Sequence, residues 1–168
     1  EAAVERVRAA RQAIDESGDD VLLTARAECY HVGHPDPLRE SVRRLQAYAA
    51  AGADVLFAPG PQNATDIKAL VVAVAPKPLN LLVVRDIGQS VEDVAALGVR
   101  RISVGGALAL AAWTGFIRAA HTLRSEGSFA GLANLVPYGE INGLFASDLP
   151  ARQTQGQVDR GPHQPNTR

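Results

Sequence analysis

Val4, Val7, Ala10, Arg11 and Ile14 recur at helical spacing with Glu and Arg between them, which predicts an amphipathic helix from about Glu1 to Ser17, stopped by Gly18. The period then changes. Val21 to Ala25 is a short continuous apolar run ending at Arg26, the pattern of a strand buried on both faces as in a parallel sheet. A polar loop from Ala27 to Pro37 follows, and Leu38, Val42, Leu45, Tyr48 and Ala49 define a second helix closed by Gly52. The same alternation repeats along the chain. Strands are expected over Ala53 to Ala58, Leu79 to Val84 and Arg101 to Val104. Helices are expected from Asn63 to Ala75, with Asn63 or Thr65 as cap, then Ser90 to Leu97 and Ala107 to Glu126.

Strands alternating with helices imply a parallel sheet with right-handed crossovers. The strand centres recur every 20 to 35 residues or so, near the repeat of a (β/α)8 barrel of about 250 residues. Four strand–helix units make half of such a barrel, which by itself leaves two open sheet edges and an uncovered inner face. After Gly127 the pattern weakens. Tyr138, Ile141, Leu144 and Phe145 suggest one short helix behind Pro137, and 150–168 reads as a flexible polar tail. The expected division is therefore 1–126 for the half-barrel, 127–149 for a helical packing or oligomer segment, and 150–168 for the tail.

Composition narrows the class. The 168 residues are 46% hydrophobic and 21% charged with a formal net charge of -1, an ordinary globular balance without the broad basic surface that nucleic acid or anionic lipid requires. No apolar run approaches the length of a membrane span, and no signal-peptide pattern opens the chain. The single cysteine, Cys29, excludes an intrachain disulfide and fits a reducing, cytoplasmic setting. There is no methionine and Glu1 already lies in a helical pattern, so the chain is expected to be part of a longer protein.

Parallel α/β sheets meet their ligands at the C-terminal ends of strands. That rule selects Arg26, Glu28, Cys29, Tyr30, His31 and His34 after the first strand, and Pro59 and Gly60, with Gln62 and Asn63, after the second. It adds Asn80, Arg85 and Asp86 around the third strand, and Ser103, Gly105 and Gly106 around the fourth. Arg26 ends an apolar strand, where a guanidinium needs an anion. Its fork suits a ligand carboxylate or phosphonate, or else an internal pair with Glu28 on the same strand face. Asn80 interrupts an apolar run, and a buried amide needs partners, either a ligand or a neighbouring strand. His31 and His34 lack a zinc-signature spacing, and Cys29 reads as a buried spectator thiol. Gly105-Gly106 fits either a tight strand-to-helix turn or an anion site on backbone N–H groups. Trp113 and Phe116 predict a buried face of the long helix, at a subunit contact.

Several stretches together resemble the isocitrate lyase and phosphoenolpyruvate mutase superfamily, closest to its bacterial methylisocitrate lyase-like and phosphoenolpyruvate mutase family proteins. They are Leu22-Leu23-Thr24-Ala25-Arg26-Ala27-Glu28, Arg43 to Tyr48, Ala51 to Leu56, Ala58-Pro59-Gly60, Lys77-Pro78-Leu79-Asn80, Leu97 to Gly105, and Pro137 to Phe145. The resemblance implies a (β/α)8 TIM barrel of which this chain supplies about strands five to eight. It also implies a dimer or tetramer in which the last helix swaps between subunits. The Mg2+ ligands, a Ser-Gly site for the 2-oxoacid end and a gating loop would belong to the other half.

Carried over residue by residue, Arg26 matches the arginine that holds the substrate's carboxylate or phosphonate. Asn80 matches an amide placed on a substrate carboxylate, with Leu81 and Leu82 where polar residues follow in the lyases. Pro59 stands where lyases have a glutamate and the mutase a histidine. The substrate-contacting set expected from this chain is thus Arg26, Glu28, Asn80, Pro59 and Gly60, with no catalytic acid, base or metal ligand. The implied function is Mg2+-dependent cleavage of a carbon–carbon or carbon–phosphorus bond in a small 2-oxoacid or hydroxyacid carboxylate. Two alternatives are a non-catalytic binding or assembly module and another barrel enzyme with a phosphate site near Gly105.

Overall fold

The computed structural model describes residues 1–147; the expected tail and the last two residues of the 127–149 segment lie outside the described residues. The element order is α1 (Ala2–Ser17), β1 (Thr24–Arg26), α2 (Pro37–Ala50), β2 (Val55–Phe57), α3 (Ala64–Val74), β3 (Leu79–Leu82), α4 (Val91–Ala96), β4 (Arg101–Ser103) and α5 (Ala107–Glu126). A 3-10 turn at Ala130–Leu132 follows, and 138–147 is helical. The four strands form one parallel sheet in the order β1-β2-β3-β4.

Local chemistry explains where the helices start and stop. Asp36 caps α2 by accepting from the Arg39 N–H at 3.2 Å, with Pro37 preset at the first helical position. Asn63 caps α3 through the Asp66 N–H at 2.8 Å, and Ser90 with Asp93 forms a reciprocal capping box on α4. Gly18 ends α1 in the left-handed conformation at φ 72°. Gly52 has a second duty. A Cβ there would lie 2.6 Å from Arg11 Cγ, so only glycine lets Arg11 cross to Asp54 at 2.9 Å. Asp54 Oδ2 also accepts from the Leu23 N–H at 2.8 Å, tying α1 and the approach to β1 to the start of β2.

The chain divides into two compact units, Glu1–Ala112 and the part from Trp113 onward. In the first, alternate strand residues enter two helix-packed cores. Ala25, Leu56 and Leu79 join Leu45, Tyr48 and Leu70, with Val4 and Val7 of α1 against them. Leu81 joins Ile67, Val94 and Val99, with Ile102 alongside. The period of 2 then sends Arg26, Phe57, Asn80 and Arg101 to the other sheet face, and the register aligns those four in one row: Arg26↔Phe57, Phe57↔Asn80, Asn80↔Arg101.

Two expectations are corrected. β1 is shorter than the apolar run suggested: Val21 and Leu22 lie outside the strand, Leu22 73% exposed. A run buried on both faces needs neighbours on both sides, and β1 pairs with β2 alone among the described residues. In the second unit, Trp113 and Phe116 form no face buried within this chain, and the subunit contact expected for them stays an expectation. Their rings meet edge to face at 5.4 Å, yet Trp113 is 58% exposed, because α5 buries no residue in this chain. Within that unit the back of α5 meets the 3-10 turn, where a Cβ on Gly131 would come within 2.8 Å of Ala119 Cα.

Candidate functional site

Arg26 closes β1 at its C-terminal end, and the Ala27 N–H donates to the Phe57 carbonyl at 2.9 Å, holding the strand end beside β2. Its guanidinium lies over the Phe57 ring, 5.2 Å from the centroid. Its Nε pairs with Glu28 Oε1, while Glu28 Oε2 meets His31 Nδ1 at 3.1 Å. Arg26 and Glu28 side chains are 48% and 40% exposed, so the group borders open space. The Arg26 hydrogen bond holds the Glu28 carboxyl below its ordinary range, against a smaller opposing effect of burial. Of the two partners foreseen for Arg26, the structure shows the internal pair. A pair on Nε takes the side of the guanidinium; the terminal Nη1/Nη2 edge is a separate fork.

Asn80 is placed differently. It is 1% exposed, its Oδ1 accepts from Arg101 Nη1 at 2.7 Å, and its Nδ2 donates to Ser103 Oγ at 2.9 Å. Both ends of the amide are engaged by side chains of β4, so of the two partners left open for it, a ligand or a neighbouring strand, the structure shows the strand, through its side chains. Pro59 is fully buried. Gly60 adopts φ 125°, and a Cβ there would sit 2.3 Å from Tyr30 Cβ, so this position admits only glycine while Tyr30 lies against it. Tyr30 continues outward, its hydroxyl donating to Asp66 Oδ2 at 3.2 Å. Burial first, then the Asp66 charge, pushes its phenol upward, keeping it a donor.

The remaining candidates fall into local roles. Cys29 is a buried free thiol. His34 Nδ1 meets the backbone of Asp36, apart from the His31–Glu28 contact. Gly105 turns the chain at φ 51° into α5, with Ala107 N–H on Val104 O at 3.0 Å. Among the described residues no group of three or more His, Cys, Asp and Glu is placed to hold a metal ion. No helix among them is long and apolar enough to cross a membrane.

Sequence reasoning had not singled out Phe57 or Arg101. Neither carried a signal of its own: only the strand register places Phe57 beside Arg26 and Arg101 beside Asn80.

The architecture defines a class. A parallel sheet with helices on one face and polar residues at the strand ends is the α/β arrangement of a TIM barrel, here about half of one. The family model for phosphoenolpyruvate phosphomutase matches residues 1–124, and the chain belongs to that family. A protein of Burkholderia cenocepacia assigned as a lyase/mutase is 44% identical, with a TM-score of 0.80 over 86% of this chain and 52% of its own. The structure of 2,3-dimethylmalate lyase, a member of the phosphoenolpyruvate mutase/isocitrate lyase superfamily, is 27% identical, with a TM-score of 0.71 over 90% of this chain and 54% of its own. An uncharacterised protein of Mycobacterium tuberculosis is 30% identical over 77% of this chain and 48% of its own length. The chain thus spans about half the length of the relatives it matches.

Proposed function

We propose that this chain supplies one half of a barrel enzyme that cleaves the bond next to the oxygen-bearing carbon of a small 2-oxoacid or hydroxyacid, with Arg26 holding the acid end of the departing fragment. The observation that carries this reading is Arg26 itself, a half-exposed guanidinium at the C-terminal end of a parallel strand. In a hydroxyacid the hydroxyl proton is lost as its carbon becomes a carbonyl, and in a 2-oxoacid water first adds to that carbon. The electron pair of the breaking bond then moves onto the carbon beside the acid group, delocalises into that group and finally takes up a proton. A guanidinium already in place stabilises the charge as it grows. The proposed substrate face comprises Arg26, Glu28, Asn80, Pro59 and Gly60: Arg26 meets the acid, Glu28 steadies it, and Pro59 with Gly60 shapes the wall under Tyr30. Asn80 belongs to this face through the Arg101 edge that it holds.

No acid, base or metal ligand is assigned to these residues. Mg2+, expected from the resemblance, finds no donor set among the described residues, and the chemistry assigned to this chain does not run through it. In the proposed whole protein, 1–126 completes the barrel and 127–149 packs or swaps between subunits of a cytoplasmic homodimer or homotetramer.

The test is turnover of a panel of 2-oxoacids and hydroxyacids by the full-length protein and its Arg26→Ala variant. A loss of at least about 100-fold in kcat/KM is expected where charge stabilisation is removed. Unchanged kinetics on every active substrate would remove Arg26 from the site. The alternative reading is a non-catalytic binding or assembly module. Under it, the full-length protein would turn over nothing on the panel and show no Mg2+ binding heat.

A further inference from the structure

The loop that joins β1 to α2 turns on Glu28. The Glu28 carbonyl accepts from the His31 N–H at 2.9 Å and the Val32 N–H at 3.1 Å, and the His34 N–H closes onto the Cys29 carbonyl at 3.0 Å. The residue whose carboxylate pairs with Arg26 therefore also opens a tight turn, and Tyr30 stands inside that turn. Where the turn sits decides where the carboxylate sits. The ion pair does not fix itself, because a pair of this exposure is weak and costs side-chain entropy to hold in one geometry. The tip of the turn adds little: Val32 is 73% exposed, His31 pairs within the loop with Glu28, and His34 with the backbone of Asp36.

Tyr30 leaves the loop. Its Cβ occupies the place a side chain at Gly60 would need, and its hydroxyl donates to Asp66 Oδ2 at 3.2 Å. Among the described residues this is the one side-chain hydrogen bond that joins the loop to another strand–helix unit; the others stay within the loop or cap its own helix. Both footholds are stiff. Gly60 lies between two buried prolines, Pro59 and Pro61, whose rings fix the backbone on either side of it. Asp66 lies in the first turn of α3, its own N–H held by Asn63 Oδ1 at 2.8 Å. The phenol, pushed upward by burial and by the Asp66 charge, keeps its proton and goes on donating.

We propose that Tyr30 is a positioning residue of the site: seated on Gly60 and tied to Asp66, it locks the turn that carries Glu28 onto the loop after β2, and so holds the Arg26 guanidinium in one orientation while charge develops. The proposal rests on Arg26 acting as described above. It gives Tyr30 and Asp66 a role that runs through Glu28 rather than through contact with substrate. A group misplaced by about 1 Å can cost about 100-fold in rate. A turn that is loosened rather than lost should cost less, and the loss should fall on the chemical step.

The experiment is steady-state kinetics of the full-length protein on the panel of 2-oxoacids and hydroxyacids, oxaloacetate among them, with urea unfolding of every variant alongside. Tyr30→Phe keeps the ring on Gly60 and removes the hydroxyl. It is expected to lower kcat about fivefold to tenfold with KM within about twofold of the unmodified value. Asp66→Ala should match it, and the double variant should be no worse than either single one. Asp66→Asn, which keeps an acceptor oxygen, should stay near the unmodified rate. In a Glu28→Ala background the Tyr30→Phe loss should shrink to under about twofold. A merely structural hydrogen bond would instead move the unfolding midpoint and leave kcat of the folded protein unchanged. Arg26→Ala separates the two levels of the argument. If that variant turns over every substrate as before, or the unmodified protein turns over none, the role of Arg26 falls and this proposal with it. If Arg26→Ala loses activity while Tyr30→Phe keeps its kcat, or loses it equally with and without Glu28, Arg26 stands and the positioning role assigned to Tyr30 is overturned.

Discussion

Two arginines lie on the same sheet face in one row, and they are held in opposite ways. Arg26, at the end of β1, is paired with a half-exposed carboxylate and stacked on an aromatic ring. Arg101, at the start of β4, is held through Nη1 by the amide of a residue that is almost wholly buried. The first arrangement compensates charge at the solvent border, costs little to disturb and leaves a fork to offer. The second fixes a side chain through a neutral amide whose own hydrogen bonds have nowhere else to go. The difference separates a place suited to exchange a ligand from a place suited to hold two strands together.

The largest effect on stability is expected at the buried end. Asn80→Ala removes both hydrogen bonds to β4 and leaves a small void, and should cost the full-length protein about 2 kcal/mol in urea unfolding. A change below about 0.5 kcal/mol would mean that water replaces the amide and that the contrast between the two ends is false. The exposed end should respond much less. Glu28→Gln is expected to cost under about 1 kcal/mol, as solvent screens a pair of this exposure.

That small contribution has a defined pH dependence. The folded Glu28 carboxyl lies below its unfolded value of about 4.3, so its stabilisation is present above that value and fades as pH falls through the lower folded one. Unfolding curves of the unmodified protein and Glu28→Gln should therefore converge toward the acid end of that window. A gap that stays constant through it would assign the effect to shape rather than charge.

Much of this architecture was legible in the order of residues, for identifiable reasons. Helix α1 shows its stripe because Val4, Val7, Ala10, Arg11 and Ile14 face one side, and those positions are the half-buried ones. The caps at Asp36, Asn63 and Ser90 are local, so the chain announces them. Arg26 stood out because a charge ending an apolar strand is costly without a partner. Asn80 stood out for a similar reason and Ser103 as a strand-end residue, but Arg101 did not, and the contacts among the three become legible only through the pairing of β3 with β4. Phe57 was silent too: an aromatic in a strand is ordinary until register sets it beneath a guanidinium. Trp113 and Phe116 are a different case. Helical spacing reports which side of α5 is apolar, not whether anything in this chain covers it.

The account stands or falls on where the acid group of a substrate rests. The most direct measurement is a crystal structure of the full-length protein with a bound 2-oxo dicarboxylate. The expected complex has two oxygens of one carboxylate within about 2.7 to 2.9 Å of Arg26 Nη1 and Nη2, with Glu28 still on Nε. A bound acid that leaves Arg26 paired with Glu28 alone, and takes its charge-assisted hydrogen bonds elsewhere, would contradict it.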